Sequence, residues 1–297
     1  MKNITLTVMG GDARQAAVAT YFSRRGARVR CFGVPLACGE RGIACCRHWR
    51  EALFGTDGVI LPLPATHDSR HLYMGQGDDG VPAPQIAEVI DALPVGAFLA
   101  GGRMSEALLT HARARGLAPF DYFKSEDLQR ANALPTAEGA VSILMQEVPR
   151  TVSGLPVLVT GFGRVGEALV RLLLAMGALV TVAARRDEVL SRARALGCAV
   201  IDLKAPLALA DREGRFAAIF NTVPSRLFDD EVLATLSRDT LLVDLASAPG
   251  GIDAEAAAAR GIRTVWALSL PGKYAPQTAG ELIGATVEEE MKRSGLL

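Results

Sequence analysis

The chain has 297 residues, 49% hydrophobic and 22% charged, a globular composition long enough for two compact units and unlike that of a disordered or fibrous protein. Its 32 basic side chains balance its 32 acidic ones, so no net field draws it to a phosphate backbone or an anionic lipid, and a small molecule is the expected partner rather than nucleic acid or membrane. No apolar run reaches the roughly 18 residues of a membrane helix, and the start MKNITLTVMGGD breaks at a glycine pair too early for a signal segment, so a cytoplasmic protein is expected.

Strands and helices alternate almost from end to end. ITLTVMGGD reads as a strand entering a turn, ARQAAVATYFSRRG as a helix closed by Gly26, and ARVRCFG as the next strand. Cys31 within that strand and Cys38, Cys45 and Cys46 after it form a cluster, with Cys198 far downstream, an odd count without the spacing of a disulfide framework. Adjacent Cys45 and Cys46 cannot easily bind one tetrahedral metal, so buried small hydrophobes plus a surface thiol are expected, and no metal site. DGVILPLPAT and PVGAFLAGG are two further strands ending in Pro or Gly; residues 1–130 form an N-terminal α/β domain on the substrate side.

AEGAVSILMQEV, entered from Pro135 and Thr136, has apolar residues at helical spacing and predicts a linker helix within 131–150. Residues 151–275 then repeat the strand and helix alternation, from PVLVTG through VGEALVRLLLAMG to IRTVWAL, as a dinucleotide-binding domain. PQTAGELIGATVEEEMKRSG, in 276–297, reads as a long helix that can cross back to the N-terminal domain. The fold class is α/β, with two doubly wound parallel-sheet (Rossmann-like) domains joined by linker helices.

Within VTGFGRVGEAL, Gly161, Gly163 and Gly166 make G-x-G-x-x-G between a predicted strand and a predicted helix, with Arg164 and Val165 inside the motif. Gly161 permits the tight turn, Gly163 lets a pyrophosphate approach the backbone, and Gly166 lets helix and strand pack closely; glycines serving only a tight turn are the alternative. About 20 residues on, where NAD-binding chains carry an acid for the ribose hydroxyls, this chain has Arg185 and Arg186. A forked guanidinium grips a 2′-phosphate that an acid repels, so NADP is expected over NAD, unless the pair is only a solvated helix start. NTVPS and DLASAPGG lie at carboxyl ends of strands, the ligand edge of open sheets; they put Thr222, Val223, Pro224 and Asp244 among the cofactor residues and Ser247 close to the ring.

GGDARQ (10–15), NALPTAEG (132–139), GFGRVG (161–166), NTVPS (221–225), DLASAPGG (244–251) and LPGKYAPQTAG (270–280), in this order, resemble the A subunit of bacterial dipicolinate synthase over nearly the whole chain. The resemblance implies a sporulation oxidoreductase of the diaminopimelate/lysine branch that takes 4-hydroxytetrahydrodipicolinate, or its dehydrated form, to dipicolinate with a nicotinamide dinucleotide and a flavoprotein-like B subunit. The implied substrate is a dianionic cyclic dicarboxylate, so its pocket needs positive or N–H-rich groups, expected in a cleft between the domains. Gly11 and Arg14 in GGDAR, and Asn132, Thr136 and Ser247, are the candidate substrate-binding residues, with Arg14 clamping one carboxylate; Asp12 as a plain N-cap and Arg14 on a solvated face are the alternative.

Aromatisation of such a ring needs a base besides a hydride acceptor. The chain's histidines are His48, His67, His71 and His111, and none lies near the C-terminal end of the dinucleotide domain, where glycine-loop 2-hydroxy-acid dehydrogenases place theirs. Asp12 and Glu138 are therefore the acid–base candidates, Glu138 being otherwise a first-turn charge favoured by the helix dipole. Two other readings stand beside this one: a non-catalytic NADP-binding subunit that organises the B subunit, and a 2-hydroxy-acid or amino-acid dehydrogenase of the same plan. Self-association into a homo-oligomer is compatible with all three.

Overall fold

The computed structural model describes Met1 and residues 3–36, 42–75, 82–204 and 214–297, so Cys38 of the cysteine cluster lies outside the described residues. The chain divides into two units, one of Met1–Asn132 with Ala275–Leu297 and one of Ala133–Tyr274.

In the first unit the elements are β1 (Thr5–Met9), α1 (Ala13–Arg24), β2 (Arg28–Phe32), β3 (Ile43–Cys45), α2 (Trp49–Leu53), β4 (Gly58–Ile60), α3 (Ile86–Asp91), β5 (Phe98–Gly101), α4 (Glu106–Ala114), β6 (Ala118–Asp121) and α5 (Glu126–Ala131). The strands are all parallel in the order β3-β2-β1-β4-β5-β6, the doubly wound order whose reversal falls between β1 and β4. Short polar residues start the helices: Asp12 caps α1, Ser105 caps α4 and Ser125 caps α5, each accepting from an amide of the first turn. The edge strands β3 and β6 carry little of the expected alternation: in β3 Ile43 is partly covered and Ala44 and Cys45 are exposed, and β6 contains Pro119, tolerated because β6 lies at a sheet edge.

The second unit runs α6 (Ala133–Glu147), β7 (Pro156–Thr160), α7 (Arg164–Ala175), β8 (Leu179–Ala184), α8 (Asp187–Ala195), β9 (Ala199–Asp202), β10 (Ala218–Asn221), α9 (Asp230–Leu233), β11 (Leu241–Asp244), α10 (Ala254–Ala259), β12 (Thr264–Trp266) and α11 (Leu270–Tyr274). Its sheet, β12-β11-β10-β7-β8-β9, has the same doubly wound order read from the other edge, with the reversal between β7 and β10. Helix α6 begins at Ala133 and takes Pro135 into its first turn, where the missing N–H costs nothing, instead of starting after it. It packs against α7 and α11, so the segment read as a linker belongs to the second unit.

The chain then returns to the first unit as α12 (Pro276–Arg293), which packs along α1. Ile283, Val287 and Met291 of α12 complete the core under one face of the first sheet, with Leu6, Val8, Val18 and Phe22. A second cluster, around Leu61, Val59, Leu99 and Ile90, covers its other face, and the second sheet is likewise buried on both sides. Strands covered on both faces read as continuous apolar runs, which is why PVLVTG is legible as a strand without alternation. Two α/β units, each built on a doubly wound parallel sheet, are the fold expected from the sequence.

Candidate functional site

The turn between β7 and α7 sits at the reversal of the second sheet. Gly161 has φ +85, and a Cβ there would run into Thr222 Oγ1 and lie 2.9 Å from Val223 Cγ2, so the turn following β10 packs directly on it. A Cβ at Gly166 would stand 2.5 Å from the carbonyl oxygen of Gly161, so the first turn of α7 rests on the glycine turn itself. Gly163 differs: its backbone is ordinary extended chain, it is exposed, and a Cβ there would meet no atom within 4 Å. It caps α7 without a side chain. An open cradle at the mouth of an uncapped helix, with the amides of Val165 and Gly166 in its first turn, has the shape and polarity that a pyrophosphate needs.

At the end of β8, Arg185 and Arg186 are both exposed, and neither makes an ion pair among the described residues. Two open guanidinium forks at that strand end are available to a phosphate. Nearby Glu167 of α7 is occupied instead, paired with Arg171 and Arg192, which hold its carboxyl below the usual range, the Arg171 hydrogen bond most of all.

The rim opposite the glycine turn is polar and tightly bonded. Thr222 Oγ1 donates to the Thr160 carbonyl at 2.8 Å; Val223 is half-buried and Pro224 exposed beyond it. Ser247 is exposed in the turn after β11. Asp244, placed by the sequence among the cofactor residues, has a different job: it is 3% exposed, and its carboxylate accepts from the Asn221 side chain and from the amides of Ala246, Gly251 and Ile252. With both oxygens turned inward it holds the strand ends together and offers nothing to a ligand.

The β1–α1 turn of the first unit corrects more of the sequence reading. Arg14 is buried, its side chain 7% exposed, and its fork is spent on Asp12, with Nη2 at 2.7 Å from Oδ2, and on the Leu63 carbonyl at 2.6 Å. It therefore ties β1's turn to the loop after β4 rather than reaching out for a carboxylate. The Gly11 amide donates to the Tyr73 carbonyl at 2.7 Å, so it too is engaged by the chain itself. Asp12 is the N-cap of α1; burial works against its charge, but the hydrogen bonds and charge of Arg14 outweigh it and hold the carboxyl below its usual range. A carboxylate held ionised in this way is a weak base.

Glu138 stands on the exposed face of α6, without a hydrogen bond among the described residues, beside a groove lined by Val141, Ser142, Met145 and Leu172. Thr136 lies two residues before it, half-covered, and Asn132 ends α5. His67 is exposed with its ring edge-on to Tyr73 at 4.5 Å. Thus Gly161, Gly163, Gly166, Thr222 and Val223 come together as one site, Asp12 and Arg14 pair with each other, and Glu138 lies on the exposed face of α6. Among the described residues no group of three or more His, Cys, Asp or Glu is placed to hold a metal, and no helix is long and apolar enough to cross a membrane.

A family model of the N-terminal domain of the dipicolinate synthase A subunit matches residues 5–123. The dipicolinate synthase A subunit of Bacillus subtilis (strain 168) is 30% identical over 285 residues, covering 95% of this chain and 94% of that protein. The crystal structure of the A subunit of dipicolinate synthase from Bacillus halodurans superposes with a TM-score of 0.85 at 26% identity, over 98% of each chain. The crystal structure of the corresponding chain from Bacillus subtilis gives 0.83 at 28% identity, over 99% of this chain and 97% of that one. With identity of this order sustained from end to end, in sequence and in fold alike, the chain belongs to the family of dipicolinate synthase A subunits.

Proposed function

We propose that this chain binds NADP at the β7–α7 turn and oxidises the cyclic dicarboxylate made by dihydrodipicolinate synthase to dipicolinate, in the cytoplasm of a sporulating cell and together with a B subunit. The observation that carries the reading is the open cradle at Gly163 facing an uncapped α7, with Arg185 and Arg186 exposed and without an ion pair among the described residues at the end of the next strand. The amides of Val165 and Gly166, with Arg164 beside them, hold the pyrophosphate; Arg185 and Arg186 read the 2′-phosphate; Thr222, Val223 and Pro224 flank the nicotinamide ribose, with Ser247 toward the ring. Once the 4-hydroxyl has left as water, the dihydro ring becomes aromatic by losing one hydride and one proton, and the dinucleotide, when bound, would supply the hydride acceptor. Glu138 is the remaining candidate to take that proton.

Changing Arg185 and Arg186 together to Ala should weaken NADP binding about 10- to 100-fold, the loss of one or two charge-assisted hydrogen bonds, and leave NAD within about twofold. Equal losses for both dinucleotides in fluorescence titrations would remove the phosphate-reading role.

One observation favours a second reading, a non-catalytic NADP-binding subunit that organises the B subunit: Asp12 is held ionised by Arg14, and Glu138 is solvated and unsupported. Absorbance at the reduced-nicotinamide band separates the two, with protein, NADP and fresh dihydrodipicolinate synthase product mixed with and without the B subunit. Growth of NADPH and dipicolinate from the isolated chain, faster when the B subunit is added, is expected. NADPH that forms only when B is present supports the organising role, and none in either mixture, with NADP bound, sinks the substrate assignment.

A further inference from the structure

Three apolar strands of the second unit each end in a polar residue: Thr160 closes β7, Asn221 closes β10 and Asp244 closes β11. The parallel register sets them side by side, Asn221 opposite Thr160 on one side and Asp244 on the other, at the carboxyl edge where the strand order reverses. All three are buried, Asn221 with no exposure at all. A polar row in such a place must be satisfied internally, and it is.

Asn221 spends its whole amide there. Oδ1 accepts from Thr160 Oγ1 at 2.7 Å and from the Val223 amide at 3.1 Å, while Nδ2 donates to the Val223 carbonyl at 3.0 Å and to Asp244 Oδ1 at 2.8 Å. Asp244 carries the chain onward to the amides of Ala246, Gly251 and Ile252. Gly251 is shaped to receive the amide: a Cβ there would run into Asn221 Nδ2 and stand 2.7 Å from the Val223 carbonyl. Both turns that face the dinucleotide site therefore hang from one side chain. Val223, gripped at its N–H and its C=O, is held against Gly161, and the turn bearing Ser247 is held through Asp244.

We propose that Asn221 is the positioning residue of the dinucleotide site: it sets Val223 over the glycine turn and, through Asp244, sets where Ser247 stands. The inference rests on the dinucleotide reading of this site. No other side chain of its size fills the post, because only a carboxamide has two donors and an acceptor with two lone pairs. Leu at 221 would leave the buried Asp244 Oδ1 with the Ala246 amide alone and the Thr160 hydroxyl with only a 3.5 Å contact to the Phe220 carbonyl. Asp at 221 would place a second carboxylate against Asp244, and two carboxylates that close share a proton, so a donor returns only on acidification.

The test is NADP titration of the full chain, Asn221→Ala and Asn221→Asp at about pH 8 and about pH 5.5, each affinity taken relative to wild type at the same pH, with thermal melts in the same buffers. Asn221→Ala is expected to raise the NADP Kd about tenfold or more at both pH values, well below its melting temperature. Asn221→Asp should match that loss at the higher pH and recover about fivefold or more of it at the lower one, a pH profile that loss of packing alone does not produce. A folded Asn221→Ala chain that binds NADP as wild type does would overturn the positioning role while leaving the dinucleotide reading intact. Should Asn221→Ala fail to fold, Asn221→Asp decides: recovery on acidification supports the role, and none overturns it. A wild-type chain that binds neither NADP nor NAD brings down the dinucleotide reading and this inference with it.

Discussion

Gly163→Val leaves the fold standing and removes the dinucleotide. The backbone at Gly163 is extended, with φ −81 and ψ −162, a conformation that a β-branched residue adopts freely, and a Cβ there meets no atom within 4 Å. The residue is exposed and donates no side-chain cap, so no contact within the fold is lost and the melting temperature should stay within about 2 °C of wild type. The isopropyl group instead fills the cradle at the mouth of α7. Two amide-to-phosphate hydrogen bonds given up at roughly 1.5 kcal/mol each make a loss of about 100-fold in NADP affinity. The contrast with Gly161 is built into the geometry: there φ is +85 and any Cβ strikes Thr222, so substitutions lose fold and binding together and say little about either. Gly163→Val binding NADP as tightly as wild type, in titrations run beside melts, would mean that no pyrophosphate passes over this helix.

That site was legible in the sequence because its signal is local. Three glycines at fixed spacing, an apolar strand before and a helix after, specify a turn without knowledge of the rest of the chain. The arginines at the end of β8 were legible for the same reason, one strand further on. The network around Asn221 was not, although its members close strands that the apolar runs had marked. Thr160 and Asn221 are 61 residues apart and Asn221 and Asp244 are 23 apart; only strand order and register make them neighbours, and neither is written in periodicity. A polar residue ending each of three buried strands was the available clue. Without register, Asp244 looked like a ligand group when it is a bracket. Arg14 misled in the same way, since its second partner is the backbone of Leu63, 49 residues on, and a lone arginine after a glycine pair shows no sign of being already engaged. β6 escaped because Pro119 interrupts it, and β3 because two of its three residues are exposed and carry no apolar pattern.

The last helix carries the largest expected effect on stability. The sequence left open a return to the first domain, and its glycines show how closely it lies there: a Cβ at Gly280 would run into the Arg14 carbonyl and stand 2.5 Å from Ala17 Cβ, and one at Gly284 would stand 2.6 Å from the Tyr21 ring. Gly280→Ala sets two effects against each other. Helix propensity favours alanine by about 1 kcal/mol in mid-helix. The collision opposes it, and because the obstacle is backbone, no rotamer change in α1 relieves it; α12 must move away. Moving it loosens Ile283, Val287 and Met291 in the core and strains the contacts of Glu288, which accepts from Tyr21 at 2.7 Å and pairs with Arg25 at 3.0 Å. Overpacking typically costs roughly 1–3 kcal/mol, and against backbone the upper end applies, so about 2 kcal/mol of net loss remains after the propensity gain and the melting temperature should fall by about 4–8 °C. Gly284→Ala should cost less, since a ring can turn where a carbonyl cannot. Because the struck atom belongs to Arg14, the Asp12–Arg14 pair should loosen with it, raising the Asp12 carboxyl back toward its ordinary range from below; the stability that its charge contributes at neutral pH then falls, and less remains to be lost as the pH drops through the folded value. Melts of Gly280→Ala and wild type at about pH 7 and about pH 3 check both parts, and a variant as stable as wild type at neutral pH would mean that α12 does not lie on α1 in solution.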